Sequence, residues 1–228
     1  MYDKSAEFYD AIYSWKDYAT EVNRLRGVLA ARGISSGTLL DVACGTGKHL
    51  SLLTPHFRAE GVELAPRMAE IARGRLPGTP IHEGDMRSFH LERHFDVVTC
   101  LFSSIGYMTE LENLHEAIAN MARHGRVLVV EPWFHPHQFS DGHVGGDMYK
   151  GDGLKIARIA RSWTEGPVSC MEMHHLVGTP DRVVTFVETM RMGLFTDAEY
   201  RAAFAAAGMK VEHDAEGLMG RGLYVGSK

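Results

Sequence analysis

The sequence predicts an α/β protein built on a mostly parallel sheet, and three observations carry that prediction. Short apolar runs alternate with helical stretches across residues 39–132. The first run ends in a glycine-rich turn that leads into a helix. After Phe134 the rhythm changes to strand-like stretches rich in alternating Val, Thr and Met. In chain order, residues 16–32 set Tyr18, Val22, Leu25, Val28 and Leu29 at three- and four-residue steps, a helix that Gly33 stops. Residues 38–43 form a strand buried on both faces, and a helix follows over 46–56. A strand at 59–63 precedes a helix from Pro66 to about Leu76, with proline where a first turn tolerates it. A short strand near 80–82, a strand at 94–101, a helix at 111–122 and a strand at 126–131 complete the alternation. Residues 134–194 read as an antiparallel insertion, a lid or subunit-contact element. Thr196 caps a helix that Gly208 ends, and strands at 209–213 and 222–226 finish the sheet.

The 228 residues suit one elaborated domain, 1–228, whose core needs no disulfide or metal staple. Hydrophobic content of 45% and charged content of 23% exclude disorder and fibrous repeats. A net charge of −5 argues against a nucleic-acid partner. Cys44, Cys100 and Cys170 are scattered and odd in number, which favours a reducing compartment. The first residues lack an apolar signal segment, and no apolar run approaches membrane length, so a cytoplasmic protein without a membrane partner is expected.

The turn at residues 40–50 (LDVACGTGKHL) places a ligand at the carboxyl edge of the sheet. It is neither a dinucleotide turn, because Leu50 occupies the third glycine position, nor a P-loop, because His49 follows Gly47-Lys48. Glu63 ends the second strand 22 residues after Asp41, where a carboxylate can accept both ribose hydroxyls of an adenosine. Asp85 follows the third strand, where a side chain can meet an adenine amino group. Asp41 can hold a cationic amino group through water or the turn. Together they suit a nucleoside with a charged amino-acid tail; the alternative reading is that Glu63 and Asp85 merely cap helices.

Residues 41–47 (DVACGTG), Glu63 and Gly84-Asp85-Met86 resemble the motif series of class I S-adenosylmethionine-dependent methyltransferases, across nearly the whole chain. The departure is Ala43, where many members carry the first glycine. The resemblance implies a Rossmann-like, seven-stranded sheet with a reversed final hairpin and helices on both faces. It implies S-adenosyl-L-methionine as cofactor, held by Asp41, Ala43, Cys44, Gly45, Gly47, Glu63, Leu64, Asp85, Met86 and Phe102. More locally, residues 9–13 (YDAIY), 16–18 (KDY), 102–107 (FSSIGY), 130–133 (VEPW) and 220–226 (GRGLYVG) resemble amino-sugar N,N-dimethyltransferases of antibiotic biosynthesis. These act on nucleotide-diphosphate-linked 3-amino sugars, and in them the positions of Tyr13 and Tyr107 contact the reactive amine. The loop between Tyr13 and Lys16, the turn at 123–125 and the insertion depart from that pattern.

Methyl transfer to a small-molecule amine is the expected reaction, with Tyr13 and Tyr107 beside the acceptor. A tyrosine can orient a lone pair, but its pKa near 10 makes it a poor base. Arg221 could bond a diphosphate, and Trp133 could stack on a ring. Both also read as structural, as a hairpin arginine and a core aromatic. A different O- or N-acceptor, or a non-catalytic S-adenosylmethionine-binding module, is the alternative. The histidines at 135, 137, 143, 174 and 175 lack metal-ligand spacing, so no metal is expected; His174 and His175 would point to opposite faces of a strand. The insertion is compatible with a homodimer.

Overall fold

The computed structural model describes residues 4–228. Tyr9–Ile12 (α1) and Tyr18–Ala30 (α2) open the described chain. α2 starts two residues later than its periodicity suggests, because the Asp17 side chain accepts the Thr20 N–H at 3.0 Å and caps it. Then come Thr38–Val42 (β1), Lys48–Leu53 (α3), Arg58–Glu63 (β2), Pro66–Arg75 (α4), Ile81–Glu83 (β3), Phe95–Cys100 (β4), Leu111–His124 (α5) and Gly125–Val130 (β5). α3 is shorter than the 46–56 expected. Gly47 sits at φ +76°, outside helical space, and Pro55 has no N–H to extend the ladder.

The insertion forms four strands, Val144–Gly151 (β6), Leu154–Glu165 (β7), Val168–Gly178 (β8) and Val183–Gly193 (β9), in one antiparallel sheet. Asp197–Ala206 (α6), Lys210–Asp214 (β10) and Leu223–Ser227 (β11) follow, the two strands each one residue later than expected. α6 is set by a capping box in which Thr196 and Glu199 exchange hydrogen bonds.

The main sheet has seven strands in the order β10-β11-β5-β4-β1-β2-β3. β11 runs antiparallel to both neighbours; the other pairings are parallel. Strand alternation divides the core in two. Leu40, Val42, Val98, Cys100, Leu128 and Val130 pack toward α5 and α6. Leu39, Val97, Val127, Val129 and Val225 pack toward α2, α3 and α4. Leu39, Leu40 and Val42 are fully buried, and each such side chain contributes roughly 1.5–3 kcal/mol by leaving water. The order of strand addition reverses between β1 and β4, which lie side by side and parallel, so a crevice opens at the carboxyl ends of those two strands.

Candidate active site

The crevice is built on the turn after β1. Ala43, Gly45 and Gly47 have φ of +58°, +58° and +76°. A Cβ at Gly45 would meet no atom within 4 Å, so the backbone there faces open space. Glu63 at the end of β2 spans the turn: Oε2 accepts the Gly45 N–H and Oε1 the Ala65 N–H, both at 2.8 Å. Burial pushes its carboxyl above the ordinary range, and the backbone donors oppose that. Asp41 is buried behind the turn, where Oδ1 accepts the Thr99 hydroxyl at 2.7 Å. Burial raises its pKa to about 7; the Thr99 bond opposes the rise and the Glu63 charge adds to it. Cys44 Sγ would lie 2.7 Å from any Cβ at Gly61, so β2 must carry glycine there. Burial pushes the Cys44 thiol well up, which leaves it inert.

Asp85, after β3, accepts the Arg87 N–H at 2.9 Å and the Arg87 guanidinium at 2.6 Å, which holds its carboxyl below the ordinary range. Arg87 also donates to Asn113 Oδ1 at 3.1 Å. At the end of β4, Phe102 and Ser103 both adopt left-handed backbone, φ +51° and +62°. The Phe102 N–H donates to Glu131 Oε2 at 2.6 Å, and burial pushes the Glu131 carboxyl up to about 7.

The N-terminal segment lies across this turn. Asp10 accepts the Thr46 hydroxyl at 2.8 Å and pairs with Arg75, which also donates to Thr46 O. Tyr13 packs against Tyr9 (4.6 Å between ring centres) and sets its ring edge-on to Phe102 at 5.2 Å. Arg158 of β7 lies 5.3 Å from the Tyr13 ring centre and donates to its hydroxyl at 3.4 Å, while pairing with Asp147. Lys16 turns inward, pairs with buried Glu21 and sits 4.1 Å from the Phe102 ring centre. Arg221 reaches from the turn before β11. It lies 4.9 Å from the Trp133 ring centre and 5.0 Å from that of Phe134, and donates to Ser103 Oγ at 3.0 Å. The Tyr107 hydroxyl is 3.1 Å from Met190 Sδ.

Part of this constellation lines a cavity of about 860 Å³. It brings together Tyr13, Tyr107, Ala43, Gly45, Glu63, Leu64, Asp85, Met86, Phe102, Trp133 and Arg221 from the sequence-selected residues. Asp41, Cys44 and Gly47 do not line it; they shape the turn from behind. Sequence reasoning missed Arg158 and the methionines of β8 and β9. The signal was the alternation Met171, Met173 and Met190, Met192, which marks one face of a strand pair. His143 lines the cavity, His175 is buried and His174 exposed on the opposite face. Among the described residues no group of three metal-ligating side chains comes together.

A family model described as a methyltransferase domain matches residues 39–126. The chain is 44% identical to the dTDP-3-amino-3,4,6-trideoxy-alpha-D-glucopyranose N,N-dimethyltransferase of Streptomyces venezuelae, over 97% of this chain and 96% of that protein. It is 42% identical to the dTDP-3-amino-3,6-dideoxy-alpha-D-glucopyranose N,N-dimethyltransferase of Streptomyces fradiae, over 97% and 89%. Its fold superposes on CalS10, an amino pentose methyltransferase from Micromonospora echinaspora solved with SAM bound, with a TM-score of 0.87. That match has 41% identity and covers 96% of each chain.

Proposed function

The chain belongs to the S-adenosylmethionine-dependent N,N-dimethyltransferases of nucleotide-linked amino sugars, and from that premise we propose that it methylates, twice, the amine of a nucleotide-diphosphate-linked amino sugar. The observation that carries this reading is one cavity that joins the turn after β1 to a wall bearing Arg221 and Arg158. S-adenosylmethionine supplies a methyl group on a sulfonium. The open space before Gly45 and the left-handed turn fit it. Glu63 takes the ribose hydroxyls, using carboxylate lone pairs left beside the two backbone donors. Leu64, Asp85 and Met86 flank the adenine, and Phe102 lies toward the reacting end. Asp41 acts through the turn formed by Ala43, Cys44, Gly45 and Gly47, and its ionised form favours the cationic amino-acid tail.

On the acceptor side the chain positions rather than activates. Well-oriented reactants can gain roughly 7–11 kcal/mol from positioning alone, so a strong base is optional when the amine arrives neutral. Tyr13 and Tyr107 orient that amine. Arg158 donates to the Tyr13 hydroxyl, which directs the phenol's own proton elsewhere. Arg221 makes charge-assisted bonds to the diphosphate, and Trp133 shields the substrate ring from water.

The enzyme works in the cytoplasm as one domain, 1–228, with the insertion at about 134–194, and pairs as a homodimer. No described helix is long and apolar enough to cross a membrane. Support for the dimer comes from the outer face of the insertion sheet. There Met148 and Leu176 share one row with Ala157, and Ile159 and Val187 share the next with His174; the four large side chains are exposed. Sedimentation of the wild type against Ile159→Lys tests it: a dimer that the lysine splits is expected, and a wild-type monomer refutes it.

The activity is tested by mass spectrometry of a nucleotide-diphosphate 3-amino sugar incubated with the protein and S-adenosylmethionine. Stepwise addition of one and then two methyl groups, with matching S-adenosylhomocysteine, is the expected result. No addition by folded, cofactor-bound protein would send the search to other small acceptors.

A further inference from the structure

Resting on the amino-sugar reading and the roles it gives Tyr13 and Arg221, we propose that Glu131 is a positioning residue for methyl transfer: its carboxylate, hidden behind the cavity, holds the turn after β4 on which Tyr13 and Arg221 are seated. Phe102 and Ser103 both carry side chains, yet both are left-handed, at φ +51° and +62°. Backbone of that kind is strained and persists where its surroundings hold it. The Phe102 N–H donates to Glu131 Oε2 at 2.6 Å, and the Ser103 hydroxyl donates to Pro132 O at 2.7 Å. The Glu131 N–H donates to Cys100 O at 2.9 Å, which fixes the end of β5 beside the end of β4. The turn then carries the acceptor side. The Phe102 and Tyr13 rings meet at 89° with 5.2 Å between centres, and Ser103 Oγ accepts from Arg221 Nη1 at 3.0 Å.

Stability alone gives no reason for a carboxylate here. Glu131 is fully buried and, among the described residues, its Oε1 has no hydrogen-bond partner. A buried carboxylate oxygen left that way costs free energy. Facing the group are Lys16 before α2, Glu21 of α2, Cys100 of β4 and Arg221 before β11, with His49 beyond, bonded to Glu21 at 2.9 Å. Burial pushes the Glu131 carboxyl up to about 7; Glu21 adds to the rise, while Lys16, the Phe102 N–H and Arg221 oppose it. A folded pKa raised in this way contributes stability at low pH that is lost as pH rises through about 7. At pH 8 ionised Glu131 therefore leaves the fold less stable than a neutral group of its shape would. What the ionised form supplies is a charge-assisted bond to the Phe102 N–H, shorter and stronger than a neutral acceptor makes. A cost to the fold, together with a grip on a strained turn beside the acceptor, marks Glu131 as kept for the reaction.

The test is steady-state methylation of a nucleotide-diphosphate 3-amino sugar at pH 8 and saturating S-adenosylmethionine, with each protein melted at the same pH. Glu131→Gln keeps the length and an acceptor oxygen but removes the charge. It is expected to lower kcat by about tenfold and to raise acceptor KM by about tenfold, because Tyr13 and Arg221 both lose their seat. Its Tm is expected to rise, or to stay within about 2 °C of wild type, which a carboxylate kept for the fold would not allow. Arg221→Met placed in this variant should raise KM by a further factor below about ten, short of its effect in the wild type, since the two residues act through one turn. Unchanged kcat and KM, or KM losses that multiply in full, overturn this inference alone. So does a Tm lowered by more than about 2 °C, or a variant that no longer folds, since Glu131 would then be a structural carboxylate. Wild-type protein that binds S-adenosylmethionine but methylates no such sugar overturns the amino-sugar reading and this inference with it.

Discussion

Glu63 holds Gly45: a 2.8 Å hydrogen bond from the Gly45 N–H to Oε2 ties the end of β2 to the turn after β1. With the Ala65 N–H on Oε1, the side chain proposed to take the ribose is also a brace. Position in the sequence alone would make Glu63 a ligand group whose loss leaves the empty protein unchanged. The two hydrogen bonds say otherwise. Glu63→Ala is expected to weaken S-adenosylmethionine binding by at least tenfold, roughly the 1.4 kcal/mol that one lost charge-assisted interaction supplies. It should also lower the Tm of the cofactor-free protein by about 4–8 °C, from about 2 kcal/mol lost with two hydrogen bonds. Calorimetric titration and melting of the same sample check both; an unshifted Tm would mean that the brace is dispensable.

Ala43 at φ +58° stands in backbone that glycine adopts without strain. An L side chain there costs about 1–2 kcal/mol, while a new glycine gives back about 0.4–1 kcal/mol through the unfolded chain. The first effect wins. Ala43→Gly is therefore expected to raise Tm by about 1–3 °C, with cofactor affinity within about twofold of wild type. A fall in Tm would show that the alanine methyl packs well enough to offset its strain.

Asp41 is expected to make cofactor affinity depend on pH. Burial raises its folded pKa to about 7, so the folded protein binds more protons here than the unfolded chain between roughly pH 4 and 7. Its contribution to stability is accordingly present below pH 4 and lost as pH rises to 7. A cationic cofactor tail has the opposite preference, for the ionised carboxylate. Affinity for S-adenosylmethionine should thus rise by up to about tenfold from pH 6 to pH 8 as Asp41 ionises. Asp41→Asn should flatten this rise, apart from the share due to Glu63, whose carboxyl is also raised. Titrations at four pH values decide it; an equal slope in the variant would place the titrating group elsewhere.

Local pattern carried much of this molecule, and distance in sequence hid the rest. The parallel sheet is legible because runs such as Leu39-Leu40 are short, apolar and closed by glycine. Acids at strand ends, Glu63 and Asp85, are legible because the alternation fixes which edge they reach. Lys16 is different: its sequence reads as the start of a helix, yet Asp17 caps that helix and Lys16 turns inward to Glu21 and Phe102. Arg158 and Tyr13 are 145 residues apart, and only the register of β7 brings them together. The same holds for the methionine wall. Its alternation shows one face of a sheet, but not that the face closes over the strand ends.

Arg221 offers the clearest separation of acceptor from cofactor. Its guanidinium lies against the rings of Trp133 and Phe134 and donates to Ser103 Oγ, whose own proton goes to Pro132 O. A planar fork can stack on those rings and still present paired donors to a diphosphate; an ammonium keeps the charge and loses both features. Arg221→Lys is expected to raise acceptor KM by about tenfold, and Arg221→Met by about 100-fold, as one and then both parts of a charged hydrogen bond are lost. Neither should change kcat or cofactor affinity by more than about threefold, because a group in the proposed role binds substrate and transition state alike. Inhibition by a nucleoside diphosphate alone adds a readout that a merely structural arginine would not move. Its inhibition constant should weaken in parallel with KM across both variants. A loss confined to cofactor affinity, with diphosphate inhibition intact, would place Arg221 among the groups that hold the fold together instead.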